Sequence, residues 1–198
     1  MTIPDRIVDA ALEIAGRSSW EALRLHQVAD ALGITLDALR AHFREKEDLV
    51  DAWFDRADAA MLREAEQPGF LALTSRQRLQ RLIWSWLTAL APHRAVTRQM
   101  ICGKLEPGHL HVQIPGLLRV SRTVQWIREA AHRDATFVRR ALEETALTSI
   151  YLTTFAHWLH DESVGSQRTA RLLDALLATA EQLDHAVYRR GAPGRSAA

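Results

Sequence analysis

Apolar residues recur along the chain at intervals of three and four, which is the spacing that places side chains on one face of an α-helix. In the first run, Ile3, Ile7 and Ile14 share such a face, while Pro4 suits the first turn and Gly16 the end. We find no convincing alternation of apolar and polar residues of the kind that a half-buried strand shows. The pattern therefore predicts an all-α protein.

Proline, glycine and capping residues divide this pattern into short helices near the N-terminus and longer ones that follow. The short helices are predicted to form a head and the longer ones a bundle. The predicted domains are 1–48 for the head and 49–190 for the bundle, with a disordered tail at 191–198. The breaker-rich stretch 106–116 is predicted to be a loop. The predicted helices are 3–16, 25–32, 36–43, 45–66, 75–90, 93–104, 117–132, 135–160 and 166–190.

The second and third predicted helices are joined by a turn with the pattern of a helix-turn-helix motif. Ala29 is small enough for two helices to cross closely, and Gly33 permits a tight turn. Ile34 and Leu39 are expected to fill the core between the helices, and Thr35 can cap the third helix. The second helix of such a pair can lie in the major groove of DNA. These residues predict a DNA-binding head.

A wider pattern surrounds this motif in the first 55 residues. It comprises Ala10–Gly16, Val28–Ala29, Leu32–Thr35, His42–Phe43 and Lys46–Leu49. Together these stretches resemble the N-terminal part of the TetR family of transcriptional regulators. The resemblance implies a TetR-like fold and a homodimer whose paired heads bind a palindromic double-stranded DNA operator. It also implies a repressor that is released when a small apolar or amphipathic effector enters the C-terminal bundle.

Two residues of the head depart from the family pattern. Arg40 stands where the family usually has an aromatic residue, and Asp37 would repel phosphate, although it can accept a hydrogen bond from cytosine. Residues 1–50 also contain six basic and nine acidic residues, which disfavours DNA binding. A head that serves only as a packing unit is therefore an open alternative. Phosphate contacts are predicted for Arg24, Gln27, Arg40, His42 and Lys46, and base contacts for Thr35, Leu36 and Asp37.

Large aromatic side chains are spread over several helices of the C-terminal part, where they either fill a core or line an apolar cavity. The last two helices carry apolar positions that suit a four-helix interface between two subunits. The candidate effector-binding residues are Trp84, Trp86, Met100, Trp126, Tyr151, Phe155 and Trp158. The candidate dimer residues are Leu147, Ile150, Thr154, Leu172, Leu173, Leu176, Leu177 and Leu183.

A second resemblance favours an alternative function. The segment 150–163, with Trp53, Asp58 and Met61, is similar to the closing region of TetR-fold lipid-binding proteins of ubiquinone biosynthesis. Those proteins share the fold and do not regulate transcription. The alternative is therefore a lipid-binding accessory protein of isoprenoid-quinone metabolism whose head does not bind DNA.

Composition adds few constraints. The 198 residues carry a net charge of +1, which argues against a strongly basic nucleic-acid coat protein. The single cysteine, Cys102, the lack of a signal peptide and the lack of an apolar run of about 20 residues predict a cytoplasmic location. We find no Gly-rich phosphate loop, Gly-x-Ser-x-Gly elbow or Cys-x-x-Cys pair, so no enzyme, cofactor or metal site is predicted.

Overall fold

The computed structural model describes the backbone of residues 1–104, 110–133 and 137–191, and the side chains of residues 1–102, 119–133 and 140–186. Over these residues the chain forms α-helices and short 3-10 turns and no strand, which confirms the all-α prediction. The 3-10 turns are Phe70–Ala72, Ala91–His93 and Val164–Ser166. The helices are α1 (Ile3–Arg17), α2 (Leu25–Leu32), α3 (Leu36–Arg40), α4 (Lys46–Ala65), α5 (Ser75–Leu90), α6 (Arg94–Lys104), α7 (Leu110–Ala130), α8 (Phe137–Trp158) and α9 (Gln167–Gly191).

The start of α7 differs from the prediction. The helix begins at Leu110, so residues 110–116 are helical where the sequence predicts a loop. Pro115 and Gly116 lie inside the helix, although both residue types weaken a helix interior. Residues 105–109 and 192–198 lie outside the described part of the chain, so the rest of the predicted loop and most of the predicted tail are not tested.

The end of α3 also differs from the prediction. The helix ends at Arg40 instead of near Phe43, because the N–H groups of His42 and Phe43 both donate to the carbonyl of Leu39, at 3.0 Å each. This turn buries Phe43 in the core of the head. In the described helices we find none that is both long and apolar enough to cross a membrane.

The head is built on one apolar core shared by α1, α2 and the start of α4. At the beginning of α1, the N–H of Thr2 donates to Asp5 (3.0 Å) and the N–H of Asp5 donates to the Thr2 hydroxyl (3.3 Å), a reciprocal cap that satisfies two free donors. This core holds the short helix α3 in place through Leu39. The buried members of the core include Ile7, Val8, Ala11, Leu12, Ala15, Val28, Ala29, Leu39, Leu49 and Val50.

Aromatic rings fill the centre of the C-terminal bundle. The ring centroid of Trp86 on α5 lies 5.2 Å from those of Tyr151 and Phe155 on α8. Trp86 also stacks on Phe54 of α4 at 5.8 Å, and Phe155 stacks on Trp158 at 6.1 Å. These separations are those of rings in direct packing contact. The cluster therefore joins α4, α5 and α8 in one core.

A buried carboxylate on α4 ties that helix to two others. The Asp58 side chain accepts a hydrogen bond from the indole N–H of Trp86 on α5 (2.7 Å) and one from the Thr123 hydroxyl on α7 (3.1 Å). Arg119 of α7 lies 3.5 Å from Asp58. Burial raises the pKa of Asp58, and these donors and Arg119 oppose that rise. The position of α4 is thus fixed relative to both α5 and α7.

We expect Asp58→Ala to lower the free energy of unfolding by about 1–3 kcal/mol, because it leaves the buried donors of Trp86 and Thr123 without an acceptor. Asp58→Asn, which keeps an oxygen acceptor, is the matched control and should lose much less. Urea denaturation measures both. Equal stability of the two variants would contradict the role given to the carboxylate oxygens.

The raised pKa also predicts a pH effect. The folded state binds the Asp58 proton more tightly than the unfolded state, so ionisation opposes folding as the pH rises from the ordinary aspartate pKa through the raised one. The stability of the wild type should therefore fall relative to Asp58→Asn over that window.

Candidate nucleic-acid interface

The turn between α2 and α3 has the geometry that a helix-turn-helix requires. Gly33 ends α2 with φ +64° and ψ +34°, a left-handed conformation that residues with a side chain adopt at a cost. A Cβ placed on Gly33 would meet no atom within 4 Å, so the requirement for glycine is conformational and not steric. The N–H of Ile34 donates to the carbonyl of Ala29 at 3.0 Å and closes the turn.

Helix α3 presents one side to the core and the other to solvent. Its cap is Thr35, whose hydroxyl accepts a hydrogen bond from the N–H of Ala38 at 3.1 Å, as predicted from the sequence. Leu39 is buried, whereas Leu36 is 53% exposed and Asp37 and Arg40 lie at the surface. The outer side of α3 is therefore exposed and accessible to a ligand as large as duplex DNA.

The charge on this outer side is balanced. Arg40 and Asp37 form an exposed ion pair one turn apart, with the nearest nitrogen and oxygen 3.3 Å apart. Such pairs contribute only a few tenths of a kcal/mol, about 0.2–0.5, so they fix neither side chain. The carboxylate that would repel phosphate thus has a counter-ion on the same helix, and the guanidinium remains able to turn toward DNA.

The acidic excess of residues 1–50 lies mostly away from α3. Asp9 and Asp5 on α1 face Arg56 of α4, which stands outside that count and lies 2.5 Å and 3.4 Å from their carboxylates. Asp48 accepts hydrogen bonds from the N–H groups of Arg44 (2.7 Å) and Glu45 (3.1 Å) at the start of α4. Between residues 24 and 46 there are four basic and three acidic residues. The segment that contains the helix-turn-helix is therefore slightly basic.

The remaining predicted phosphate contacts fall into two groups. His42 is exposed, and so is Arg44, which lies four residues after the end of α3 and was not among the predicted contacts. Gln27 and Arg24 are exposed but take part in local structure. The Gln27 side chain accepts from the N–H of Arg24 (3.0 Å), and the Arg24 guanidinium donates to the carbonyls of Glu21 (2.6 Å) and Leu23 (3.2 Å).

Lys46 has a position that the sequence did not indicate. Its ammonium donates to the carbonyls of Trp20, Glu21 (3.3 Å) and Leu23 (3.1 Å), and it lies 5.0 Å from the centre of the Trp20 ring. Burial lowers the pKa of Lys46, and the nearby charge of Arg24 adds to that effect. The geometry assigns Lys46 to holding the segment between α1 and α2 against α4, and its predicted contact with phosphate stays a prediction.

The head is joined to the bundle by more than α4. The N–H of Trp20 donates to the side-chain oxygen of Gln99 on α6 at 2.6 Å. The indole N–H of Trp53 on α4 donates to the buried hydroxyl of Thr97, also on α6, at 3.0 Å. A displacement of α6 would therefore act on the head directly.

Six of the seven predicted effector-binding residues pack in the core of the bundle. Trp86, Met100, Tyr151, Phe155 and Trp158 are buried in the bundle core. Trp84 packs partly buried against that core, and Trp126 is 47% exposed on α7. A cavity between α5, α7, α8 and α9 has none of the seven in its wall. Of the two alternatives that the sequence left open, the packing favours core.

Five of the eight predicted dimer residues are corrected, because they lie in the core of one subunit. Leu147, Ile150, Thr154, Leu173 and Leu177 are buried inside one subunit, so they cannot form a surface between two. Leu172 and Leu176 are partly buried, and Leu183 alone among the eight is exposed. The hydrophobic spacing identified the buried faces of α8 and α9, and a dimer interface on these two helices stays a prediction.

A three-helix head with an exposed reading helix, carried on a helical bundle, defines a DNA-binding regulator of the helix-turn-helix class. Residues 7–53 match the model of the bacterial regulatory proteins of the tetR family. A TetR transcriptional regulator from Nitrosomonas europaea ATCC 19718 is 52% identical, with a TM-score of 0.82 over 91% of this chain and 98% of that one. The chain thus belongs to the TetR family of transcriptional regulators, which bind DNA and are not enzymes.

Two further structures show the same fold at low identity. A TetR transcriptional regulator from Rhodococcus sp. RHA1 is 21% identical, with a TM-score of 0.63 over 87% of this chain and 94% of that one. A tetR-family regulator from Streptomyces coelicolor is 20% identical, with a TM-score of 0.58 over 96% and 89%. A comparison with curated proteins finds no match. The relationship at 52% identity favours the regulator over the lipid-binding alternative.

We expect Lys46→Met to lower the free energy of unfolding by about 1–3 kcal/mol, because a charged donor to three carbonyls is lost while the length of the side chain is kept. Arg17→Met, at an exposed position of α1, is the matched control and should change stability by less than about 0.5 kcal/mol. Urea denaturation gives both values. A Lys46→Met protein as stable as the control would show that the loop does not depend on this side chain.

Proposed function

We propose that the protein is a dimeric repressor that binds a palindromic operator and leaves it when a small effector enters the bundle. The observation that carries the proposal is the outer side of α3, where Leu36, Asp37 and Arg40 are exposed on a helix whose inner side is fixed by Leu39. A short rigid helix presented in this way fits the major groove. We infer repression and release by an effector from the family to which the chain belongs.

The outer face of α8 supports a dimer. Residues 145–156 contain no charged side chain, although half of the helix surface faces solvent. Leu152 is 39% exposed, and Leu142, which also lines the cavity between α8 and α9, is 64% exposed. The exposed positions between them are Thr145, Ala146 and Ser149. A surface helix normally places charges on its outer side, so an uncharged outer face indicates a partner. A second copy of α8 and α9 would complete a four-helix interface.

The contacts between head and bundle supply a route for regulation. Arg119 on α7 lies 3.3 Å, 2.7 Å and 3.5 Å from Asp51, Asp55 and Asp58, which follow one side of α4. Trp53 and Trp20 bind α6 as described above. An effector that displaces α6 or α7 would move α4, and with it the distance between the two reading helices of a dimer. Such a shift changes the fraction of molecules able to bind both half-sites.

We expect the double variant Arg40→Ala, Arg44→Ala to bind DNA from the region upstream of its own gene more weakly than the wild type. If each guanidinium neutralises one phosphate, the slope of log K against log salt should fall by about two per subunit. Fluorescence anisotropy over a series of salt concentrations measures this slope. Arg63→Ala, at the far end of α4, removes the same charge away from α3 and should bind like the wild type. An unchanged slope in the double variant would refute the placement of these residues at the DNA.

We expect Leu152→Glu to convert the dimer to a monomer, because it places a charge in the middle of the uncharged face of α8. Sedimentation velocity at micromolar concentration measures the change. Leu71→Glu, at an exposed position in the turn Phe70–Ala72, is the control and should remain dimeric. A monomeric wild type, or a dimeric Leu152→Glu protein, would exclude this face as the interface.

A further inference from the structure

A cavity of about 500 Å³ lies between α5, α7, α8 and α9, away from the aromatic core. Its volume is in the usual range for small-molecule sites, about 300–1,000 Å³. Aliphatic side chains form much of its wall. They include Leu79, Leu147, Ile150 and Leu177. The wall is therefore suited to an alkyl or aryl group.

One buried cation in this wall has no close counter-ion. Arg128 on α7 is only 3% exposed, and the nearest carboxylate oxygen, of Glu144, lies 3.9 Å away. Its buried Nε has no hydrogen-bond partner among the described residues. A buried guanidinium whose Nε–H has no acceptor is unfavourable, because this donor has lost water without gaining a partner.

The other arginines of the cavity are already paired. Arg133 donates to the hydroxyl of Ser75 and to the carboxylate of Glu143, both at 2.7 Å. Arg76 donates to the carboxylate of Asp174 at 2.7 Å. Of the three acidic side chains in the wall, Glu143 is paired with Arg133 and Glu181 lies 3.7 Å from Arg76, and the third is Asp184. Arg128 is the arginine of the wall that makes no hydrogen bond to a described residue.

We propose that the cavity binds an amphipathic anion, whose single carboxylate head is held by Arg128 and whose hydrocarbon part lies against the aliphatic wall. The planar guanidinium can bind a carboxylate through two parallel hydrogen bonds, which suits this head group. The inference rests on the proposed function in so far as it names the class of effector. The binding site itself does not depend on DNA binding.

The position of Arg128 connects the cavity to the head. Arg128 and Arg119 stand nine residues apart on α7, which is about 13 Å along a helix at about 1.5 Å per residue. Arg119 contacts the three aspartates of α4 described above. A ligand that draws Arg128 toward its carboxylate acts on the same helix that positions α4, so we expect the ligand to weaken DNA binding.

The test uses decanoate as the probe and decan-1-ol as its uncharged counterpart, each titrated into the full-length protein by calorimetry. We expect the wild type to bind decanoate at least tenfold more tightly than decan-1-ol. Arg128→Met should lose that preference while still binding decan-1-ol. Arg122→Met, an exposed position on the same helix, is the matched control and should keep the preference.

Further variants and a DNA measurement keep the outcomes separate. If Arg128→Met does not fold, Glu144→Gln tests the same site, because it removes the nearest competing carboxylate and should tighten decanoate binding several-fold. Equal binding of the two probes by the wild type, or an unchanged preference in Arg128→Met, overturns the proposal. A wild type that binds neither probe also overturns the proposal. If Arg128→Met then sediments as a monomer, the cavity belongs to the contact with the second subunit.

The effector role is tested apart from the site. Decanoate should raise the Kd of the operator complex in the wild type and not in Arg128→Met. Binding of decanoate with no change in the operator Kd would support the site and refute the proposed release mechanism. Decanoate binding by a protein that binds no DNA would support the site and refute the proposed function.

Discussion

The structure depends on the buried carboxylate of Asp58. A carboxylate in the core of a helical bundle is tolerated only where hydrogen bonds and an opposite charge compensate for the lost water. Here the donors come from Trp86 on α5 and Thr123 on α7, and the charge from Arg119 on α7. Leu49 and Val50, at the start of α4, belong to the core of the head. The hydrogen bonds and the ion pair of Asp58, which position α4, therefore also set the angle between the head and the bundle.

Helix α6 adds a second constraint of the same kind. Gln99 and Thr97 accept hydrogen bonds from the head loop at Trp20 and from α4 at Trp53. Both acceptors are polar side chains of α6, so this helix contacts both the head and α4. The head is therefore held directly by α4 and α6, and α7 acts on it through α4, so a rearrangement of these helices would move the head. Coupling between the bundle and the head requires an element that can adopt two arrangements, and α4, α6 and α7 are the candidates for that element.

The sequence predicted the parts of the fold that are decided locally. Gly33 and Thr35 signal the turn through backbone conformation and capping, which depend on few neighbours, and the structure places both as expected. Five of the predicted dimer residues on α8 and α9 were assigned incorrectly, because apolar spacing identifies a buried face without identifying the element that buries it. Leu147 and Leu173 repeat as an interface would, yet they face the core of their own subunit. Pro115 and Gly116 were likewise read as breakers, although a helix supported by neighbours can include them.

The charges of the head and of the cavity also depend on partners that are distant in the sequence. The acidic excess of the first 50 residues counted Asp5 and Asp9 against DNA binding, whereas Arg56, six positions beyond that window, is their partner. The reverse holds for Arg128, which no pattern marks because it is one arginine among several on α7. What sets it apart is that the fold buries it without a close carboxylate, while Arg76 and Arg133 on the same cavity wall are paired. Recognition of an anion follows from that difference in partners, which only the three-dimensional arrangement determines.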